Sequence, residues 1–291
     1  MAMKILTALL TVLILLGCDE KASKSGERIK TSFSLKKDSI LKLPINISDF
    51  FSWYSETLET DSTTYLFREN GMVSEIQIFD LKKIGIPRKI QFQTEGTNGI
   101  GDAVGMSIIP LALDSFYITN RHNELLLMKN DSIIKKYDLS FNETYPSMMP
   151  QNHAKTIRLN DSLFGFVQYK QMNINSNEYL KSSVFAIYDI SKLIFKDASI
   201  SFPISYLNKC WTPQMLDPAY TINPKTGKIV FSFPSEKNLY IYDYKTDKVD
   251  EIEVGYTQYF KEIEPFTYCE EVPKKIDDYF LNTPSYLTIV Y

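Results

Sequence analysis

His122 and His153 are the only imidazoles in 291 residues, and that count bounds the available chemistry. A Ser-His-Asp site would have to use one of them, and no Gly-x-Ser-x-Gly elbow is present to hold a nucleophile. Neither His-x-His nor His-Glu-x-x-His occurs, which argues against a transition-metal centre built on histidine. The carboxylates Asp102, Asp217 and Glu264 are scattered, with no Asp-x-Asp-x-Asp loop to wrap calcium. Adjacent pairs such as Glu270-Glu271 and Asp277-Asp278 diverge on a strand and read as solvated surface. Gly96, Gly99, Gly101 and Gly105 form a glycine-rich stretch, but it runs into the strand-like Met106-Ser-Ile-Ile-Pro110. A phosphate cradle needs a helix there, so the stretch reads as a connecting loop with close backbone approach. No catalytic residue, metal site or cofactor is expected.

Cysteine and tryptophan are scarcer still. Of three cysteines, Cys210 and Cys269 lie 59 residues apart (269 − 210) and no Cys-x-x-Cys occurs, which removes zinc ribbons and thioredoxin chemistry. An oxidising compartment would permit a Cys210–Cys269 disulfide, but two buried thiols are the favoured reading. Trp211 follows Cys210 in the loop-like Asn208-Lys-Cys-Trp-Thr-Pro213. If exposed, it would stack on a sugar ring or anchor a partner protein. The plainer reading is a tryptophan that fills a gap between sheets.

The third cysteine has a different setting. Lys4, an apolar run from Ile5 to Leu16, and Gly17-Cys18 have the form of a secretory leader, and the run is too short to span a bilayer. Leu15-Leu16-Gly17-Cys18 resembles the lipobox of bacterial lipoproteins, in which the cysteine becomes the first mature residue and carries lipid. Residues 1–17 are therefore expected to be a signal peptide and 18–32 a flexible tether, since Asp19 to Lys30 has almost no apolar content. Asp19-Glu20 resembles a surface-export signal of Bacteroidota lipoproteins, with a plain solubilising linker as the equal alternative. The expected address is the cell envelope, lipid-anchored through Cys18 to the outer membrane on its periplasmic or surface side.

The formal charge of −3 and a pI near 5.6 argue against nucleic acid, which selects clustered cationic surface. Phe and Tyr together number 37 (18 + 19) and outnumber the 24 Gly and Pro (11 + 13), a balance that leans towards strands.

A turn opening onto an aromatic or aliphatic strand recurs at 61–67, 114–118, 160–167, 225–231 and 284–291. A second strand ending in aromatic-Asp follows at 75–80, 184–189 and 239–243, with 124–129 and 133–138 in that place in the second unit. Units of 47–64 residues, each with about four strands, are the sequence signature of an all-β propeller. Residues 33–291 are expected to hold about four complete blades and the start of a fifth, with the C-terminal part missing from this chain. The propeller is expected to be monomeric.

The lipobox, Arg121-His-Asn-Glu-Leu-Leu-Leu, Glu95-Gly-Thr-Asn-Gly-Ile-Gly101 and the closing Tyr-Leu-Thr-Ile-Val-Tyr291 together resemble a Bacteroidota family. It is the TolB-like, six-bladed propeller lipoproteins of domain of unknown function 4221. The resemblance implies a fold and an address, and it carries no catalytic residues with it.

Loops between second and third strands must converge on one propeller face. Arg68, Arg121, His122, Asn123 and Lys237 fall there and form the candidate ligand face, suited to an anionic or sugar partner. The plainer reading of these loops is solvated hairpin tips, and of His122 a polar turn residue. Asp38-Ser39, Asp61-Ser62, Asp131-Ser132 and Asp161-Ser162 resemble Bacteroidota O-glycosylation sites, although hairpin turns require the same residues. The function expected is a non-enzymatic binding or scaffold module for a protein or glycan. The alternative is a metal-dependent propeller hydrolase or lyase.

Overall fold

Strands that carry apolar residues at both phases of the period-2 alternation build sheets with two faces to bury. Among the described residues, the computed structural model resolves this demand as four antiparallel sheets, each built on a meander of four consecutive strands and one with a fifth strand added. It describes residues 42–43, 55–70, 74–83, 85–96, 99–101, 107–120, 122–139, 144–146, 155–254, 264–266 and 269.

The first sheet is β1 (Ser55–Glu59), β2 (Thr64–Asn70), β3 (Glu75–Asp80) and β4 (Arg88–Gln91). The second is β5 (Ser107–Ala112), β6 (Ser115–Thr119), β7 (Glu124–Lys129) and β8 (Ser132–Asp138). In the third, β9 (Thr144–Pro146) pairs with the far end of β11 (Leu163–Lys170), beside β10 (Ile157–Arg158), β12 (Phe185–Asp189) and β13 (Ile194–Asp197). The fourth holds β14 (Ala219–Ile222), β15 (Ile229–Ser232), β16 (Asn238–Asp243) and β17 (Lys248–Glu253). All four lie in one unit, Leu43–Tyr291.

The recurring aromatic-Asp has a local cause. Asp80 ends β3, and its Oδ1 accepts from the backbone N–H groups of Lys82 and Lys83 and from the Thr63 hydroxyl. Asp189 closes the corresponding turn by accepting from Ser191 and Lys192, and Asp243 by accepting from Lys245. The hydroxyl of Ser191 leads the causes that hold the Asp189 carboxyl down at about 2. The Asp-Ser positions 61–62, 131–132 and 161–162 also sit in or beside hairpin turns, with Asn130 and Asp131 both in the left-handed region.

Successive residues of one strand serve different interfaces. Phe116 and Ile118 of β6 pack with Phe67, Ile76 and Ile78 of the first sheet. Tyr117, between them, packs with Phe164 and Phe166 of the third. Phe185 and Val167 then turn to Tyr220, Phe231 and Tyr242 of the fourth. Sheets stacked in this chain order, face against face, are the blades of a β-propeller. The outermost strands β8, β13 and β17 are largely exposed, whereas the starts of β5, β10 and β14 are buried.

Phe185 is the knot of the third interface, with ring centroids 5.2 Å from both Tyr220 and Phe231 in edge-to-face geometry. Gly165 makes room for it: a Cβ there would lie 2.4 Å from the Phe185 ring. Phe185→Ala is expected to cost about 3–5 kcal/mol and Gly165→Ala about 1–3 kcal/mol. The double variant should cost less than their sum, because the new methyl enters the space the ring leaves. Urea titration of the four proteins checks this, and strict additivity would refute the packing.

Candidate functional site

Every buried polar or charged side chain among the described residues lies at one end of the blades, where second strands turn into third and first strands begin. Buried polar groups are costly unless hydrogen-bonded, so a layer of them on one face needs a structural account.

In the first blade Arg68, directly opposite Gln77 in the ladder, donates Nη1 to Gln77 Oε1 at 3.1 Å. Gln77 donates to Glu75 Oε1 at 2.9 Å, and Lys89 pairs with that oxygen at 3.0 Å. In the second, Asn120 accepts from the N–H groups of His122 and Glu124 and donates to Glu124 Oε2 and the Ile100 carbonyl. This web fixes the turn that holds Asn123 at φ 60°. The exposed His122 ring lies over Gly101, where φ is +71° and a Cβ would meet the imidazole at 2.4 Å. Ser107 Oγ accepts from Thr156 N–H at 3.1 Å and so joins the second blade to the third. In the third, Gln168 donates to Asp197 Oδ1 at 2.7 Å.

A cap covers this face over the third and fourth blades. It comprises the 171–184 connection with helix α1 (Asn177–Lys181), and the 198–218 connection with single 3-10 turns at Ile204–Tyr206 and Pro213–Leu216. Ser176 caps α1 by accepting from Tyr179 N–H. Asn175 exchanges two hydrogen bonds with the Trp211 backbone, and Asn177 two with Asn208. Cys210 and Cys269 are disulfide-bonded, and Phe266 N–H donates to the Cys210 carbonyl at 3.0 Å.

At the end of the cap's second connection lies Asp217, buried with 3% exposure. Burial pushes its carboxyl up to about 7, offset only in part by the Tyr169 hydroxyl. Neither oxygen reaches a partner at full hydrogen-bonding distance among the described residues. Burial first, then the charge of Asp217, holds the Tyr179 phenol well above its ordinary range.

At the axis, Glu56 on β1 forms an ion pair with Lys155, which precedes β10, and Tyr220 donates to the Lys155 carbonyl. Glu56 and Lys155 border a cavity of about 170 Å³ lined also by Ile108, Thr156, Arg158 and Thr221, so all four blades contribute to it.

Several expectations are corrected. Arg68 is buried on β2 and bonded to Gln77, so it is not a loop residue presented to a ligand. Lys237 is at the expected turn, but Glu253 engages it at 3.0 Å. Arg68 and Lys237 serve separate blades and form no cationic cluster. Trp211 is 2% exposed, packed on Tyr206 at 4.7 Å, with its indole N–H donated to the Tyr206 carbonyl. It offers no exposed aromatic contact and fills the seam between blades. Cys210 and Cys269 are not buried thiols but bonded sulfurs, with Cα atoms 5.2 Å apart. His122 and Asn123 stand on the expected face, and Glu264 is exposed. Arg121, Cys18, His153 and Asp102 lie outside the described residues, as do the turn and strand expected at 284–291. Among the described residues no group of three His, Cys, Asp or Glu could hold a metal ion, and no helix is long and apolar enough to cross a membrane.

Radially stacked four-stranded blades with a polar loop face and a cap define a β-propeller with one elaborated face. The chain belongs to the family described as domain of unknown function DUF4221, whose model matches residues 28–278. A member of that family from Bacteroides vulgatus is similar in structure, with a TM-score of 0.64 and 17% identity over 86% of this chain and 70% of that one. A protein from Bacteroides fragilis whose name gives it as exported has a TM-score of 0.48 and 14% identity over 74% of this chain and 54% of its own. No curated protein matches the chain.

The Asp217 carboxyl gives a pH dependence with a defined sign. Its folded value, about 7, lies above the ordinary value of about 3.9, so the folded state holds the proton more tightly. That stabilisation is complete below pH ~4 and is lost as pH rises through ~7, by up to about 4 kcal/mol. The stability of Asp217→Asn, which keeps the shape without the charge, should fall less between pH 5 and 8. Urea midpoints across that range check it, and parallel curves would refute it.

Proposed function

We propose that this chain is the propeller of a lipid-anchored envelope protein, and that the capped face binds a partner protein or glycan without chemical turnover. The observation that carries this reading is the cap itself: two reciprocal asparagine pairings and a disulfide hold connections that the blades do not need for closure. Pre-organised loops on a rigid scaffold are the usual address of a binding site. A disulfide also suits an oxidising compartment, in keeping with the leader. The finer reading is a six-bladed propeller, of which four blades are described.

The alternative, a propeller hydrolase or lyase, draws on Asp217, because a buried carboxyl pushed up to about 7 also has the character of a general acid. It is the weaker reading, since the cap covers that carboxyl.

Two experiments test the proposal. Photo-crosslinkers at the exposed positions His122, Asn173 and Glu178, on the capped face, should trap an envelope component. The same groups at Asp61, Lys192 and Lys225, on the opposite face, should not. Equal adducts from both sets, or none from either, would overturn the assignment of the face. In cells fed labelled palmitate, the wild-type chain should take up label and Cys18→Ala should not. Equal labelling of the two would remove the anchor.

A further inference from the structure

At the rim of the capped face, a groove of about 320 Å³ runs between the 199–205 connection and the outer strands of the fourth blade. Ile200, Phe202 and Val249 line its apolar part, with Ile204 standing 86% exposed at its edge. The polar lining is Ser199, Ser201, Ser205, Tyr240, Glu236 and Glu251, so both charged groups in the lining are carboxylates.

The partners of those carboxylates are neutral. Glu236 accepts from the Ser205 hydroxyl at 2.6 Å and from Lys237 N–H at 2.8 Å, and Glu251 accepts from the Asn238 amide. No ion pair among the described residues includes either one, and the ammonium of neighbouring Lys237 goes to Glu253 at 3.0 Å. Both carboxylates act on one hydroxyl: after burial, the charges of Glu236 and then Glu251 hold the Tyr240 phenol above its ordinary range. The Tyr240 ring is itself fixed edge-on to Phe233, 5.5 Å between centroids.

Two carboxylates without a counter-charge, converging on a tyrosine ring above an apolar floor, are complementary to one kind of group. A basic side chain lays its methylene stem on apolar surface and keeps its charged end for carboxylates and an aromatic face. The groove is also large enough for such a side chain and its neighbour. We infer that this groove is the docking site for a lysine or arginine side chain of a partner protein, with Glu236 and Glu251 as charge partners and Tyr240 as the aromatic wall.

The inference rests on the reading of the chain as a binding module and specifies the chemistry of its partner. It reverses the sign expected from Arg68 and Lys237, since the charge offered to a partner at this rim is negative.

An array of random decapeptides probed with the full chain tests it. Bound peptides should be enriched in Lys and Arg several-fold over the array's composition, and the enrichment should collapse in 0.5 M NaCl. In Glu236→Gln/Glu251→Gln, which replaces two partly or fully exposed carboxylates by isosteres, it should fall to background with the thermal midpoint unchanged. Tyr240→Phe should keep most of the binding, because the ring remains. Absence of basic enrichment, enrichment of acidic peptides, or binding retained in the double variant would overturn the groove. If the crosslinks from His122, Asn173 and Glu178 persist in the double variant while the array shows no basic preference, the binding face stands and only the groove falls.

Discussion

A four-stranded sheet whose strands are apolar on both faces cannot leave either face in water, and everything else in this molecule follows from that constraint. Phe116 and Tyr117 are neighbours in sequence yet belong to different cores, one shared with the blade before and one with the blade after. Each sheet is thus held by its neighbours more than by itself. Large rings fill most of the space between the third and fourth blades, where edge-to-face pairs fix their orientation as well as bury area. Gly165 shows how tight the fit is, because the smallest residue is what lets the Phe185 ring reach three partners at once.

The same packing decides where polarity can go. With both broad faces committed to neighbours, the ends of the strands are left for polar groups, and the two ends are used differently. One end carries exposed turns, closed by Asp80, Asp189 and Asp243 through their own main chain. The other carries buried amides, hydroxyls and charges bonded between strands and between blades, as in Arg68–Gln77–Glu75 and Thr156–Ser107. Satisfied networks of this kind lock geometry, because each lost partner would leave a desolvated group behind. That is why the cap and its loops can be rigid without regular secondary structure beyond one helix and two single turns.

Much of the fold was legible in the sequence because it depends on short-range pattern. Turn residues at 61–63, 114–115 and 160–162 and the aromatic-Asp endings mark strand boundaries locally. The inner strands were harder to read. Segments such as Ile157-Arg158 and Ala219-Tyr-Thr-Ile222 are short, and tertiary contact makes them strands. The site was less legible again. Arg68 reads as a loop cation because its register against Gln77 depends on where β2 ends. Trp211 and Cys210 read as independent features, although one loop places the first in the seam and ties the second to Cys269. The local signals of α1 are the Ser176 cap, Glu178 in its first turn and Lys181 in its last.

Asp217 and the Glu236–Glu251 pair show why residue type alone under-determines function. Both are acidic, and in the sequence both are merely scattered charges. Asp217 is desolvated and lacks a close partner, so its environment favours the protonated form and the group titrates near pH 7 instead of staying fully charged there. Glu236 and Glu251 reach solvent, keep neutral hydrogen-bond partners, and share a wall with Tyr240. One environment hides a charge and the other displays two. The difference comes from position in the blade: Asp217 sits in the cap connection two residues before an inner strand, whereas the glutamates lie on and beside the outer strands.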